Sequence, residues 1–101
     1  MSNEYTRKIG QNKGRPRLWL EGAILTECGF SHGERYNVTP YDGYLTIEKA
    51  HGGKRKIAGK AERPIIDMLG KVLEQAFTDD MPASVTIIKL DNGIIEVKRE
   101  G

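Results

Sequence analysis

Lys8-Ile9-Gly10, followed by Arg15-Pro16-Arg17-Leu18-Trp19-Leu20-Glu21-Gly22, is written a second time in this chain. The second version is Lys56-Ile57-Ala58, followed by Arg63-Pro64-Ile65-Ile66-Asp67-Met68-Leu69-Gly70. The Lys-Ile pair, the Arg-Pro pair, the alternating apolar residues and the Gly recur at a constant offset of 48, from Lys8 to Lys56 and from Gly22 to Gly70. Further out, the two copies close alike, on Asp42-Gly43-Tyr44-Leu45-Thr46-Ile47-Glu48-Lys49 and on Asn92-Gly93-Ile94-Ile95-Glu96-Val97-Lys98-Arg99, now offset by 50. A self-match at fixed period marks one supersecondary unit used twice.

The 101 residues make one domain, 1–101, with internal repeats 8–49 and 56–99 joined by a Gly/Lys-rich linker, 50–55. A unit of roughly 45 residues buries too little apolar surface to stand alone, so the halves are expected to share a core. Residues 1–7 read as a frayed end, 8–15 as a flexible basic loop, and Gly52-Gly53 as a supple point in the link between halves. Pro16 opens a strand in which Leu18 and Leu20 face one side and Arg17, Trp19 and Glu21 the other. Ile24, Leu25 and Cys28 form the stripe of a short helix stopped by Gly29. Arg35–Thr39 and Tyr44–Glu48 alternate as strands around the Asp42-Gly43 turn. The second half repeats the plan, with Val72, Leu73, Ala76 and Phe77 as the helical stripe and Asn92-Gly93 as the turn. The expected fold is mainly β (β+α): two β–α–β–β repeats with two short helices, forming a small barrel or sandwich.

The net charge is only +2, but its distribution is uneven. Residues 7–17 hold Arg7, Lys8, Lys13, Arg15 and Arg17 and no acid; residues 49–63 hold Lys49, Lys54, Arg55, Lys56, Lys60 and Arg63 against Glu62 alone. Charge runs are commonly solvated loops. Two runs at equivalent places in a repeat point further, to a surface that neutralises phosphates. The candidate contacts are Lys8, Lys13, Arg15, Arg17, Lys54, Arg55, Lys56, Lys60 and Arg63. Trp19 could stack on a base or cover a partner surface, and Tyr41 and Tyr44 are candidate partner anchors.

Beyond these residues, the stretch Leu18-Trp19-Leu20-Glu21-Gly22, Gly29-Phe30-Ser31-His32-Gly33-Glu34-Arg35-Tyr36-Asn37-Val38 and Asp42-Gly43-Tyr44-Leu45-Thr46-Ile47 resembles the SymE-like branch of the AbrB swapped-hairpin superfamily. The Arg63-Pro64-Ile65-Ile66-Asp67 opening also resembles a tandem module found ahead of some bacterial and phage DNA cytosine methyltransferases. The resemblance implies two units interlocked into a closed swapped-hairpin barrel, here as a single-chain pseudo-dimer. It implies DNA binding through Lys13, Arg15, Arg17, Lys60 and Arg63, in a small regulator of transcription or a DNA-targeting accessory module. Alternatives are a protein-binding module or phage or mobile-element inhibitor of a nucleic-acid enzyme, and a SymE-like, toxin–antitoxin type protein acting on RNA. Asp79-Asp80 stands in the second repeat where the first has its Gly-containing turn, so repeat one is expected to be the stronger half.

No catalytic constellation is read from the sequence, and no enzyme, cofactor or metal is expected. His32 and His51 lie in Gly-flanked turns far apart. Cys28 sits on an apolar stripe, as a buried thiol does. Glu21 and Asp67 follow the two first strands at nearly equivalent places; ion pairs with neighbouring Arg are their ordinary role. The first eight residues hold no apolar stretch, and no run is long enough to span a bilayer. A cytoplasmic protein is expected, with DNA or RNA as partner, a protein partner as the alternative and no membrane contact, either as a monomeric pseudo-dimer or as a homodimer.

Overall fold

In the computed structural model, which describes residues 4–100, twelve elements follow one another. They are β1 (Glu4–Lys8), β2 (Gly10–Asn12), β3 (Arg15–Glu21), α1 (Ala23–Glu27), β4 (Arg35–Pro40), β5 (Tyr44–Lys49), β6 (Arg55–Lys56), β7 (Ala58–Lys60), β8 (Arg63–Leu69), α2 (Gly70–Ala76), β9 (Ser84–Asp91) and β10 (Ile94–Arg99). The chain is mainly β, in two antiparallel sheets of order β1-β9-β10-β5-β4-β6 and β2-β3-β8-β7.

Both orders read the same from either end once each strand is exchanged for its repeat equivalent. The register makes the symmetry exact to the residue. Thr46 lies opposite Glu96 in the β5–β10 ladder, and Trp19 opposite Asp67 in the β3–β8 ladder. Each of these pairs joins a position to its own repeat equivalent, so one pseudo-twofold axis runs through both. Along β3, Leu18 and Leu20 point inward, and Ile66 and Met68 answer them from β8; all four are buried. Leu45, Ile47, Val85, Ile87, Ile95 and Val97 face them from the six-stranded sheet, with Phe30 and Leu73 between. Each such side chain contributes about 1.5–3 kcal/mol on leaving water.

The described part of the first opening, Glu4–Lys8 and Gly10–Asn12, is strand where a frayed end (1–7) and a flexible loop (8–15) were expected; residues 1–3 of that end lie outside the described residues. β1 pairs along its whole length with β9, from Glu4 opposite Ile88 to Lys8 opposite Ser84. β6 pairs with β4. Each opening strand therefore belongs to the sheet edge of the other half. Polar edge strands carry no inward apolar alternation, and their ladder partners lie far off in sequence, which is why periodicity did not reveal them. Arg55, at the end of the expected linker, and Lys56, at the start of the second repeat, form β6.

Ile9 and Ile57 turn the chain from one sheet to the other. The Ile9 amide donates to the Ala83 carbonyl at 2.8 Å, and the Ile57 amide to that of Glu34 at 2.9 Å. These corners join the sheets as bent strands do in orthogonal packing. They also interrupt the ladders, and no closed barrel forms among the described residues, against the expectation of one. A second exchange locks the halves. Gly43, in the first hairpin turn, donates its amide to Ala76 at the end of α2, and Gly93 donates to Cys28 just past α1, both at 2.7 Å. Carbonyls left open at a helix C-terminus are thus satisfied by the other half.

Tyr5 anchors β1 to α1 by donating its hydroxyl to the Glu27 carboxylate. That hydrogen bond, then burial, pushes the Tyr5 pKa up to about 12. The stabilisation is therefore present below the ordinary tyrosine range near 10 and is lost as pH rises through about 12. In an alkaline absorbance titration, Tyr5→Phe removes a phenol that ionises late; a late step unchanged in the variant refutes the anchor.

The Gly52-Gly53 link is tight where it was expected to be supple. Gly53 is buried against β4, and a Cβ there would meet the Tyr36 backbone at 2.8 Å. Gly53→Ala should lower stability by about 1–3 kcal/mol, as overpacking does, read from the midpoint of urea unfolding. An unshifted midpoint refutes the close approach.

Candidate nucleic-acid interface

The nine candidate cations fall into two groups related by the axis. Lys8, Lys13, Arg15 and Arg17 belong to the first opening; Lys54, Arg55, Lys56, Lys60 and Arg63 belong to the second. Because β3 and β8 run antiparallel, the tips of the β2–β3 and β7–β8 hairpins lie at opposite ends of the four-stranded sheet, about 33 Å apart at the rise of an extended chain.

The three arginines of the first-strand motif are engaged. Arg17 makes a bidentate pair with Asp67, 2.8 Å from Nε and 2.9 Å from Nη2, and its guanidinium lies 4.7 Å from the centre of the Trp19 ring. Hydrogen bonding to Asp67 pushes the Arg17 pKa further up, so it stays charged. Arg15 runs past Gly70 at the start of α2 and pairs with Glu74. Arg63 lies 3.5 Å from Glu21. A fork already satisfied by a carboxylate must break that pair before it can take a phosphate. The acidic positions Glu21 and Asp67 are thus ion-pair partners of arginine, the ordinary role.

Lys8, Lys13, Lys54, Arg55, Lys56 and Lys60 are different. All are exposed, and none has a carboxylate partner among the described residues. Arg55 lies across from Tyr36, whose pKa burial pushes up while Arg55 pulls it down.

The exchange of opening strands changes what surrounds each group. The first opening faces the second repeat's α2–β9 loop. Its residues Ile9, Gly10 and Gln11 share one groove with Glu74, Asp79 and Asp80. The second opening faces the first repeat's Gly-containing turn and the start of β4, where Arg35 and Lys49 add two further cations. Sequence reading assigned the acidic pair to weakening its own half. In the fold, Asp79-Asp80 sits beside the opening of repeat one, the half expected to be stronger. Arg35 was missed because it reads as the end of a half-buried strand, and Lys49 was counted in the second basic run but not among the candidate contacts; the usable signal was their position beside the repeated Lys-Ile corner.

The aromatic candidates do not form one surface. Trp19 is 39% exposed on the outer face of the four-stranded sheet. Tyr41 and Tyr44 stack at 4.8 Å on the β4–β5 turn, at the far end of β4 from Arg35. His32 and His51 are exposed in separate turns. Cys28 is buried, and burial pushes its thiol pKa up, away from the reactive thiolate. Among the described residues no three His, Cys, Asp or Glu side chains converge as metal ligands, and no helix is long and apolar enough to cross a membrane.

Comparison with family models, with curated proteins and with solved structures finds no match for this chain. Asp67→Ala should change the intensity and wavelength of Trp19 emission as the guanidinium over the ring loses its tether. It should barely move the unfolding midpoint, because the pair is a third exposed and screened by water. An unchanged emission spectrum counts against this cluster.

Proposed function

We propose that this chain binds nucleic acid, with duplex DNA as its ligand. In this reading it is a single-chain counterpart of the AbrB/SymE swapped-hairpin dimers, acting as a small regulator or as a module that brings a protein to DNA. The observation that carries the reading is the set of six exposed cations without carboxylate partners among the described residues, Lys8, Lys13, Lys54, Arg55, Lys56 and Lys60, in two groups related by the pseudo-twofold axis. Each neutralised phosphate releases condensed counterions, and that entropy is the main source of sequence-independent affinity. The exchange of β1 and β6 between halves supports the swapped-hairpin assignment.

A second reading is favoured by one face. Around the axis Arg15, Arg17 and Arg63 are balanced by Glu74, Asp67 and Glu21, and Trp19 stands exposed among them. A charge-balanced patch with a central aromatic suits a protein partner, so that face is the candidate contact for an enzyme that works on DNA.

Fluorescence anisotropy with a labelled duplex tests the main reading. Six phosphate contacts give a slope of about −5 in log K against log salt, or about −4 on a single strand. The duplex affinity should fall about a thousandfold between 50 and 200 mM salt. Absence of binding at low salt, or affinity indifferent to salt, overturns it.

A further inference from the structure

β6 lies against the start of β4, and the register sets Arg35 directly opposite Lys56. Direct cross-strand partners project from the same face, and like charges so placed repel. Arg35 Nη1 donates to the Gly53 carbonyl at 3.1 Å, which turns its guanidinium towards the link between halves. Lys49, at the end of β5, donates to the Gly29 carbonyl at 3.1 Å and lies 3.4 Å from Glu34. The Asn37 side chain accepts the Lys54 amide at 3.0 Å and so fixes the entry of the chain into β6. Between these groups lies an open cleft of about 480 Å³, lined by Gly33, Glu34, Arg35, Lys49, His51 and Gly52. Two cations, Arg35 and Lys49, and the His51 imidazole thus line the cleft with one carboxylate, and that carboxylate is held by Lys49 and by the Ser31 amide; Lys56 stands across the ladder from Arg35.

The pseudo-twofold supplies a control within the same molecule. The corresponding cleft of the other half is lined by Asp80, Met81, Pro82, Ser84, Arg99 and Glu100. Ser84 stands where the first cleft has Arg35, and Lys8 lies opposite it as Lys56 lies opposite Arg35. Arg99 is turned onto the Asp80 carbonyl at 2.7 Å and over the Phe77 ring. Lys8 and Arg99 there are matched by Asp80 and Glu100. Two clefts at equivalent places in the repeat thus differ in charge.

We propose that the cleft at the β4–β6 corner is an anion seat that takes one phosphate group between Arg35 and Lys49, with Lys56 across the ladder from Arg35. The proposal rests on the nucleic-acid reading for its source of phosphate, the backbone diester. The seat itself is a property of the cleft and is tested separately. An anion there relieves the repulsion between Arg35 and Lys56, so binding also tightens the exchanged corner.

The test is an amide NMR titration of the full chain, first with inorganic phosphate against sodium chloride of matched ionic strength, then with a short duplex. The expected result is saturable movement of the Gly33, His51, Gly52 and Lys54 amides with phosphate, while Ser84 and Glu100 stay still. The same amides should respond to duplex at far lower concentration. K49Q should lose the phosphate response and bind duplex at least about fivefold more weakly, whereas R99Q, at the equivalent position of the other cleft, should leave both nearly unchanged; unshifted amides elsewhere show that both variants are folded. Phosphate shifts that match the chloride control, or that are equal at both clefts, overturn the seat. Equal losses of duplex affinity in the two variants also overturn it. Duplex binding with the cleft amides still leaves the nucleic-acid reading standing and removes the seat. A saturable phosphate response with no duplex binding supports the seat, for free phosphate, and removes the nucleic-acid reading.

Discussion

The ladders between β1 and β9 and between β6 and β4 govern the rest of this structure. A half of this size has two sheet edges to cover and too little apolar surface to cover them with. Each half meets that constraint with the other's opening strand. The Gly43 and Gly93 amides repeat the exchange at the helix ends. Neither half is then complete alone, and the core that Leu18, Leu20, Ile66 and Met68 fill is common to both. The consequence for function is that every corner of the molecule is composite. Its charge is the sum of an opening from one repeat and a turn from the other, so the two corners need not be alike even though the openings are.

This composite character marks how far the sequence could be read. The alternation at Leu18-Trp19-Leu20 and Ile66-Asp67-Met68, the Asp42-Gly43 and Asn92-Gly93 turns and both helical stripes were legible, because each is local. The edge strands were not. Glu4–Lys8 and Arg55–Lys56 hold no periodicity, and they are strands because β9, across most of the chain, and β4, in the other repeat, present open backbone groups to them. The repeated Lys-Ile word was legible as a repeat but not as a corner. Its Ile is the residue that carries the chain between sheets, and that role is visible only once both sheets exist.

The candidate site follows the same division. Clusters of Lys and Arg can be counted along a chain, but their availability depends on carboxylates that arrive from elsewhere. Arg15 meets Glu74 from α2, and Arg17 meets Asp67 from the other repeat. The arginines of the most faithful motif are therefore the least available, and the lysines around them are the most exposed. Asp79-Asp80 illustrates the same point with the opposite sign: its influence falls on the repeat that does not contain it. In a swapped fold, a charge is best assigned to the half it packs against.

The axis explains why the two halves share one chain. A position on a twofold axis faces its own copy in a homodimer. A homodimer of the second repeat would set Asp67 against Asp67 and Glu96 against Glu96, two like-charge pairs directly opposite in the ladders. A homodimer of the first repeat would set Trp19 against Trp19, and Arg17 would lose Asp67 and face Glu21 of the copy instead. In the fused chain, Trp19 faces Asp67 and Thr46 faces Glu96. Arg17 can then reach both Asp67 and the Trp19 ring, an arrangement that exists only because the symmetry is broken. Fusion does more than raise the local concentration of the halves. It permits unlike residues on the axis, and having accepted Asp67 and Glu96 there, the second half no longer has a surface suited to pairing with itself.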